Sequence, residues 1–189
     1  MMQNKVVIGL IGGSGAGKGT FSAVAKELGF TIIDGDKIGH EVLQNEAFDE
    51  LVNEFGTQIL EADNISRKKL GAIVFSDSNA LLKLNNIVHK HIVAKMRKLM
   101  TDKCVIDAAV LHKTELIDDC THVIAVVADK QSRVKRISSR DCITEAVATN
   151  RINSQITDEE YAKLSDIVIE NNGTETEFIN KVKECLQGL

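Results

Sequence analysis

The sequence predicts an α/β fold, a parallel sheet with helices on both faces. Two observations carry this. Apolar runs at residues 6–11, 31–33, 104–107, 123–128 and 167–169 are separated by segments of helical periodicity. Strands that alternate with helices build a parallel sheet, whose ligands lie at the carboxyl ends of the strands.

The first run, Val6-Val7-Ile8-Gly9-Leu10-Ile11, is unbroken by polar residues, as a strand buried on both faces requires. It passes straight into Gly12-Gly13-Ser14-Gly15-Ala16-Gly17-Lys18-Gly19-Thr20. A strand, a glycine-rich loop, a lysine and a helix in that order form a phosphate-binding loop. Glycines let successive N–H groups converge without a Cβ in the way. The helix start adds partial positive charge, and Lys18 adds a point charge for the β and γ phosphates. Phe21, Val24, Ala25 and Leu28 give that helix an apolar face. The competing reading, a flexible loop without a ligand, does not account for this order.

The second run ends in Asp34-Gly35-Asp36. Carboxylates at the carboxyl edge of the sheet suit a general base for an attacking hydroxyl. Asp36 also suits a helix N-cap, because Lys37-Ile38 follows it. Helical signals then extend from about residue 38 to residue 100, far more than one crossover needs, and predict an inserted helical region that grips a second substrate. Within it, residues 79–100 read as one long helix. His89 and His91 are two apart, point to different faces and share no metal; packing or surface roles are their plain reading.

The third run ends at Asp107, which either holds Mg²⁺ or its water shell or makes an ordinary strand-end turn. After the fourth run comes a cationic helix, residues 129–140, with Lys130, Arg133, Lys135, Arg136 and Arg140. A second short helix follows at residues 144–154. The cations are either a solvated face or a lid turned toward the phosphates; their place after a sheet strand favours the lid, with Arg136 and Arg140 as clamps on the transferring phosphoryl group.

Composition bounds the rest. The chain has 189 residues, 43% hydrophobic and 26% charged, with net charge −4. That is enough for one domain with a full core, and the charge argues against a nucleic-acid partner. No apolar run approaches the ~18 residues that would span a bilayer, so no membrane partner is expected. No signal-peptide pattern precedes the first strand. Cys104, Cys120, Cys142 and Cys185 are scattered, as expected of reduced thiols in a cytoplasmic protein.

Taken together, the residues resemble the bacterial dephospho-coenzyme A kinase family nearly end to end. The matching stretches are the glycine loop, Ile33-Asp34-Gly35-Asp36, Phe55-Gly56, Arg67 with Leu70, Val74-Phe75-Ser76-Asp77, Leu84-Asn85, His89, Val105-Ile106-Asp107, Arg136, Arg140, Arg151-Ile152 through Gln155, and Asn171-Asn172-Gly173. The resemblance implies a phosphate-loop kinase fold with a five-stranded parallel sheet, a helical substrate region at about 36–102 and a lid at about 130–156. It implies transfer of a phosphoryl group from ATP, with Mg²⁺, to the 3′-hydroxyl of dephospho-coenzyme A, the last step of coenzyme A synthesis, by a monomer or weak homo-oligomer. By motif, Asp36 is the base, Lys18 binds the β and γ phosphates and Arg140 stabilises the transferred group. Gly13, Ser14, Gly15, Ala16, Gly17, Gly19 and Thr20 cradle ATP, and Asn171 with Gly173 lies near the adenine. Asp34, Arg67, His89 and Asp107 help bind the acceptor.

The chain departs from the family pattern in three places. Gly19 stands where the family has a serine, so Thr20 and Asp107 are expected to reach Mg²⁺ through water. The family's His-Pro is His89-Lys90. Its Asp-Ile-Pro-Leu-Leu-Phe-Glu is Asp107-Ala108-Ala109-Val110-Leu111-His112-Lys113. The last change lies in the acceptor region and keeps two alternatives open: a kinase of this fold acting on another small acceptor such as a nucleoside or nucleotide, or a non-catalytic nucleotide-binding relative.

Overall fold

The computed structural model describes residues 5–108 and 111–189; Ala109 and Val110 of the altered stretch lie outside the described residues. The chain divides into two compact units, Met1–Asp34 with Met100–Leu189, and Gly35–Leu99.

The first unit is built on a five-stranded sheet: β1 (Val6–Ile11), β2 (Thr31–Asp34), β5 (Lys103–Asp107), β6 (His122–Val127) and β7 (Ile167–Glu170), in the order β2-β5-β1-β6-β7. Every pairing is parallel. All five strands fall on the apolar runs read from the sequence. β1 is central and buried from Val7 to Ile11, which explains its unbroken apolar character. The chain leaves β1 toward one side to form β2 and returns to its other side to form β6. The end of β1 is therefore a switch point, where doubly wound sheets open a crevice.

On one face, α1 (Lys18–Glu27) and α9 (Glu175–Gln187) pack onto the sheet. Phe21, Val24, Phe178, Val182 and Leu186 meet Ile8, Leu10, Val105, Ile124 and Val126 there in one continuous core. The other face is covered more thinly. Two 3-10 turns, Leu111–Lys113 and Glu115–Asp119, lie there with Leu111 and Leu116 buried, and α8 (Asp158–Lys163) buries Tyr161. Gly9 suits that cover: a Cβ would stand 2.8 Å from Leu111 Cδ2, so the buried leucine would have to shift. The cationic helix is α6 (Lys130–Asp141), followed by α7 (Glu145–Asn153); Val134, Ile137, Ala148 and Ile152 form a small core of their own.

The second unit holds α2 (Gly35–Gln44), α3 (Phe48–Phe55), α4 (Arg67–Val74) and α5 (Ser78–Leu99), with a short hairpin of β3 (Leu60–Glu61) and β4 (Asn64–Ile65). Ile38, Val42, Leu51, Phe55, Ile59, Leu70, Val74, Val93 and Met96 are buried. Surface ion pairs fasten α5 to α2 and α3, Lys83 to Glu54, Lys90 to Glu50 and Lys95 to Glu41, and His91 shares a hydrogen bond with Glu50. Each such pair contributes little alone. No helix among the described residues is long and apolar enough to cross a membrane.

Candidate active site

β1 delivers the chain to the glycine loop at the carboxyl edge of the sheet, and α1 departs from it at Lys18. Two of the glycines are sterically obligatory. Gly12 has φ +142°, and a Cβ there would lie 2.3 Å from the Val126 carbonyl oxygen of the neighbouring strand. Gly17 has φ +121°, with Asn171 Nδ2 at 2.4 Å from the same hypothetical atom. Any side chain would force the loop off β6 and the β7 end.

The loop's carbonyl oxygens are tied down one after another. Lys18 Nζ donates to Gly12 O over 3.1 Å. Ala16 N donates to Gly13 O over 3.2 Å. Arg133 Nε donates to Ser14 O over 2.9 Å, Arg136 Nη1 to Gly15 O over 3.3 Å and Asn171 Nδ2 to Ala16 O over 2.7 Å. With the acceptors engaged, the loop is left donor-rich. The first intrahelical bond of α1 runs from Phe21 N to Gly17 O. The N–H groups of Lys18, Gly19 and Thr20 therefore have no acceptor within the helix and stand at the positive end of its dipole. No acidic residue occupies that first turn. A polyphosphate matches this arrangement of donors.

The carboxylates form the other wall. Asp34 and Asp107 are register partners at the ends of β2 and β5, so their side chains start from neighbouring strands on one side of the sheet. Ser22 Oγ donates to Asp107 Oδ2 over 3.0 Å. The sequence reading overlooked Ser22, although it stands one helical turn beyond Lys18. No group of three or more His, Cys, Asp or Glu side chains suited to a metal occurs among the described residues. Mg²⁺ commonly needs no such cage; one carboxylate, waters and substrate phosphates suffice, and Asp107 with the half-buried Thr20 fits that mode.

Several residues sit differently from their expected places. Asp36 is not an N-cap: α2 begins at Gly35, and Asp36 is an exposed member of its first turn, where the helix dipole favours a carboxylate. The cations of this helix divide: Lys130, Lys135 and Arg140 are exposed, whereas Arg133 and Arg136 turn toward the loop. Arg133 is 3% exposed and faces the loop's carbonyl side. Arg136 spends its fork on Gly15 O, Asn171 O and Asn171 Oδ1. Arg140 forms a two-pronged pair with Asp141, which also accepts from Arg151. Those bonds, Arg140's first, pull the Asp141 carboxyl down to about 2. Asn171 is buried, with its amide turned into the loop. Gly173 lies in the turn into α9, against the Glu177 carboxylate. Ser14 presents its N–H to Gln155 Oε1 over 2.9 Å and its hydroxyl to Gln155 Nε2 over 3.0 Å.

The remaining residues expected to bind the acceptor, Arg67 at the start of α4 and His89 on α5, are exposed in the second unit. His91, two residues on, meets Glu50 at 2.8 Å. His112, in the altered stretch, has both ring nitrogens buried without a hydrogen-bond partner and meets Tyr161 edge-on at 6.0 Å. Burial lowers its pKa.

Comparison with known proteins identifies the family. A family model described as dephospho-CoA kinase matches residues 6–177. A dephospho-CoA kinase of Fusobacterium nucleatum is 35% identical over 184 residues, which is 94% of this chain and 95% of that one. The solved dephospho-CoA kinase from Campylobacter jejuni aligns over 96% of this chain and 95% of its own, with a TM-score of 0.74 and 28% identity. A Thermus thermophilus structure aligns over 99% of both chains with a TM-score of 0.81 and shares the fold at 23% identity. The match spans both units and the whole phosphate loop, and on it this chain belongs to the dephospho-CoA kinase family.

Proposed function

We propose that the protein transfers the γ-phosphoryl group of ATP to the 3′-hydroxyl of dephospho-coenzyme A, giving coenzyme A and ADP. The observation that carries this reading is the phosphate loop, whose carbonyls are engaged and whose helix-start amides are free to donate, in a chain of this family.

The chemistry follows from the groups available. The loop amides and Lys18 hold the β and γ phosphates and offset the charge that spreads over the equatorial oxygens in the transition state. Asp36 accepts the proton of the ribose 3′-hydroxyl. The freed oxygen attacks the γ-phosphorus as the bond to the β–γ bridging oxygen breaks, and ADP leaves with that electron pair. Arg140, released from Asp141, supplies a two-pronged donor to the transferred group. Asp34, Arg67, His89 and Asp107 orient the acceptor, and Asn171 and Gly173 shape the wall on the nucleotide side. Mg²⁺, held by Asp107 and Thr20 through water, would neutralise phosphate charge. A cytoplasmic location and a monomeric or weakly associating chain complete the proposal.

The altered stretch from Asp107 to Lys113 makes the acceptor the part to test first. Purified protein with ATP and Mg²⁺ should show a higher kcat/KM for dephospho-coenzyme A than for adenosine, AMP, shikimate or pantothenate. Preference for any of those would replace the acceptor in this proposal.

A further inference from the structure

We propose that Arg133 is a positioning residue for phosphoryl transfer: it fixes the outer wall of the phosphate loop and couples that wall to the connection between α7 and α8. The inference deepens the proposed function and rests on ATP being the ligand of the loop.

Arginine is rarely buried without a job that fixes its geometry. Arg133 is 3% exposed, and each nitrogen of its fork has a separate partner. Nε donates to Ser14 O over 2.9 Å, Nη1 to Asp158 Oδ1 over 2.8 Å and Nη2 to Gln155 Oε1 over 3.3 Å. Asp158 opens α8 and supplies the countercharge that a buried guanidinium needs. The fork also lies close against the loop at Gly13. A Cβ on Gly13 would stand 2.1 Å from Nη2, so a side chain there would displace the guanidinium from its partners.

Everything converges on Ser14. Its carbonyl is held by Arg133, and its N–H and hydroxyl are both held by Gln155, which Arg133 itself supports. Ser14 is therefore wall rather than phosphate donor in this structure. Its peptide plane is set by residues more than a hundred positions away. Holding Ser14 O fixes the plane of the Ser14–Gly15 peptide and with it the direction of the Gly15 N–H. A shift of about 1 Å in such a wall is enough to cost orders of magnitude in transfer. Lysine cannot replace this fork, since it has one donor centre and no fixed plane.

The test compares Arg133→Lys and Gln155→Ala with the wild-type chain. Melting temperature, the ATP dissociation constant by calorimetry without acceptor, and kcat and KM for both substrates are measured. Arg133→Lys keeps a cation beside Asp158 but loses the grip on Ser14. It should melt within about 5 °C of wild type, bind ATP about tenfold more weakly and lower kcat, with the acceptor KM within about twofold. Gln155→Ala leaves no buried charge unpaired and should weaken ATP binding by about threefold or more. Unchanged ATP affinity and kcat in both variants would make Arg133 a purely structural ion pair and overturn the proposal. If Arg133→Lys does not fold, Gln155→Ala decides alone. A wild-type chain that binds ATP but forms no coenzyme A removes the acceptor assignment, while the ATP constants still decide on Arg133. A wild-type chain that binds no ATP overturns both.

Discussion

The side-chain amide of Asn171 donates to the carbonyl oxygen of Ala16 over 2.7 Å, joining the end of β7 to the phosphate loop across 155 positions of sequence. Both residues are buried, Ala16 fully. Asn171 also accepts from Arg136, so one amide fastens the loop and one of its arginines together. Asn171→Ala would leave a buried carbonyl without a partner. We expect a loss of about 1–3 kcal/mol in stability by urea denaturation, accompanied by weaker ATP binding. Full stability with altered nucleotide choice would instead favour a role at the adenine alone.

Lys18 reaches back to Gly12 O over 3.1 Å, a bond that the proposed function has it exchange for phosphate oxygens. Lys18→Met keeps the stem and removes the charge. The variant should fold normally and lose about 10²–10³-fold in kcat, measured by steady-state kinetics at saturating ATP.

Gly19 has open space around the position of a Cβ, with no atom within 4 Å and no positive φ. Gly19→Ser is therefore accommodated without strain, and helix propensity favours it by about 0.5 kcal/mol. It adds the hydroxyl that the family pattern has there. The Mg²⁺ concentration for half-maximal activity should fall, with melting temperature unchanged or slightly raised. An unchanged Mg²⁺ titration would show that the loop position after the lysine does not reach the metal.

Arg140 and Arg151 hold Asp141 at a pKa of about 2, below the value of about 3.9 for a free aspartate. A depressed folded-state pKa stabilises the protein above the unfolded value, and the gain disappears as pH falls through the folded value. Asp141→Asn should thus be slightly less stable than wild type at neutral pH, and the difference should vanish between about pH 4 and pH 2. Thermal melts of both proteins across that range give the answer.

How much of this was legible in the sequence depended on how local the signal was. β1 and the loop were plain, because an unbroken apolar run and a glycine string are local patterns. So was α5, whose apolar positions recur at helical spacing. The hairpin of β3 and β4 was not: its turn, Ala62-Asp63, has φ +46° and +63°, the conformation that Asn-Gly usually announces. α8 and α9 lie outside the helices that apolar periodicity predicts, and each begins with a capping box, Thr157 with Glu160 and Thr174 with Glu177. The arginines are a different case. Arg133, Arg136 and Arg140 look alike as a cationic run, yet one is buried on loop carbonyls, one is shared with Asn171 and one lies at the surface with Asp141. Partners that distant leave no trace in local spacing. The same holds for Ser22 and Asp107, which meet because α1 and β5 do.

The most direct test of the central proposal is to identify the product. Wild-type protein, ATP, Mg²⁺ and dephospho-coenzyme A are incubated, and the product is resolved by mass spectrometry and phosphorus NMR. Asp36→Asn is run beside it. The proposed reaction predicts coenzyme A carrying a new 3′-phosphate, formed in step with ADP. It also predicts about 10²–10⁴-fold slower turnover in Asp36→Asn, with ATP affinity preserved. ATP binding without any 3′-phosphorylated product, or equal turnover by the two proteins, would contradict it.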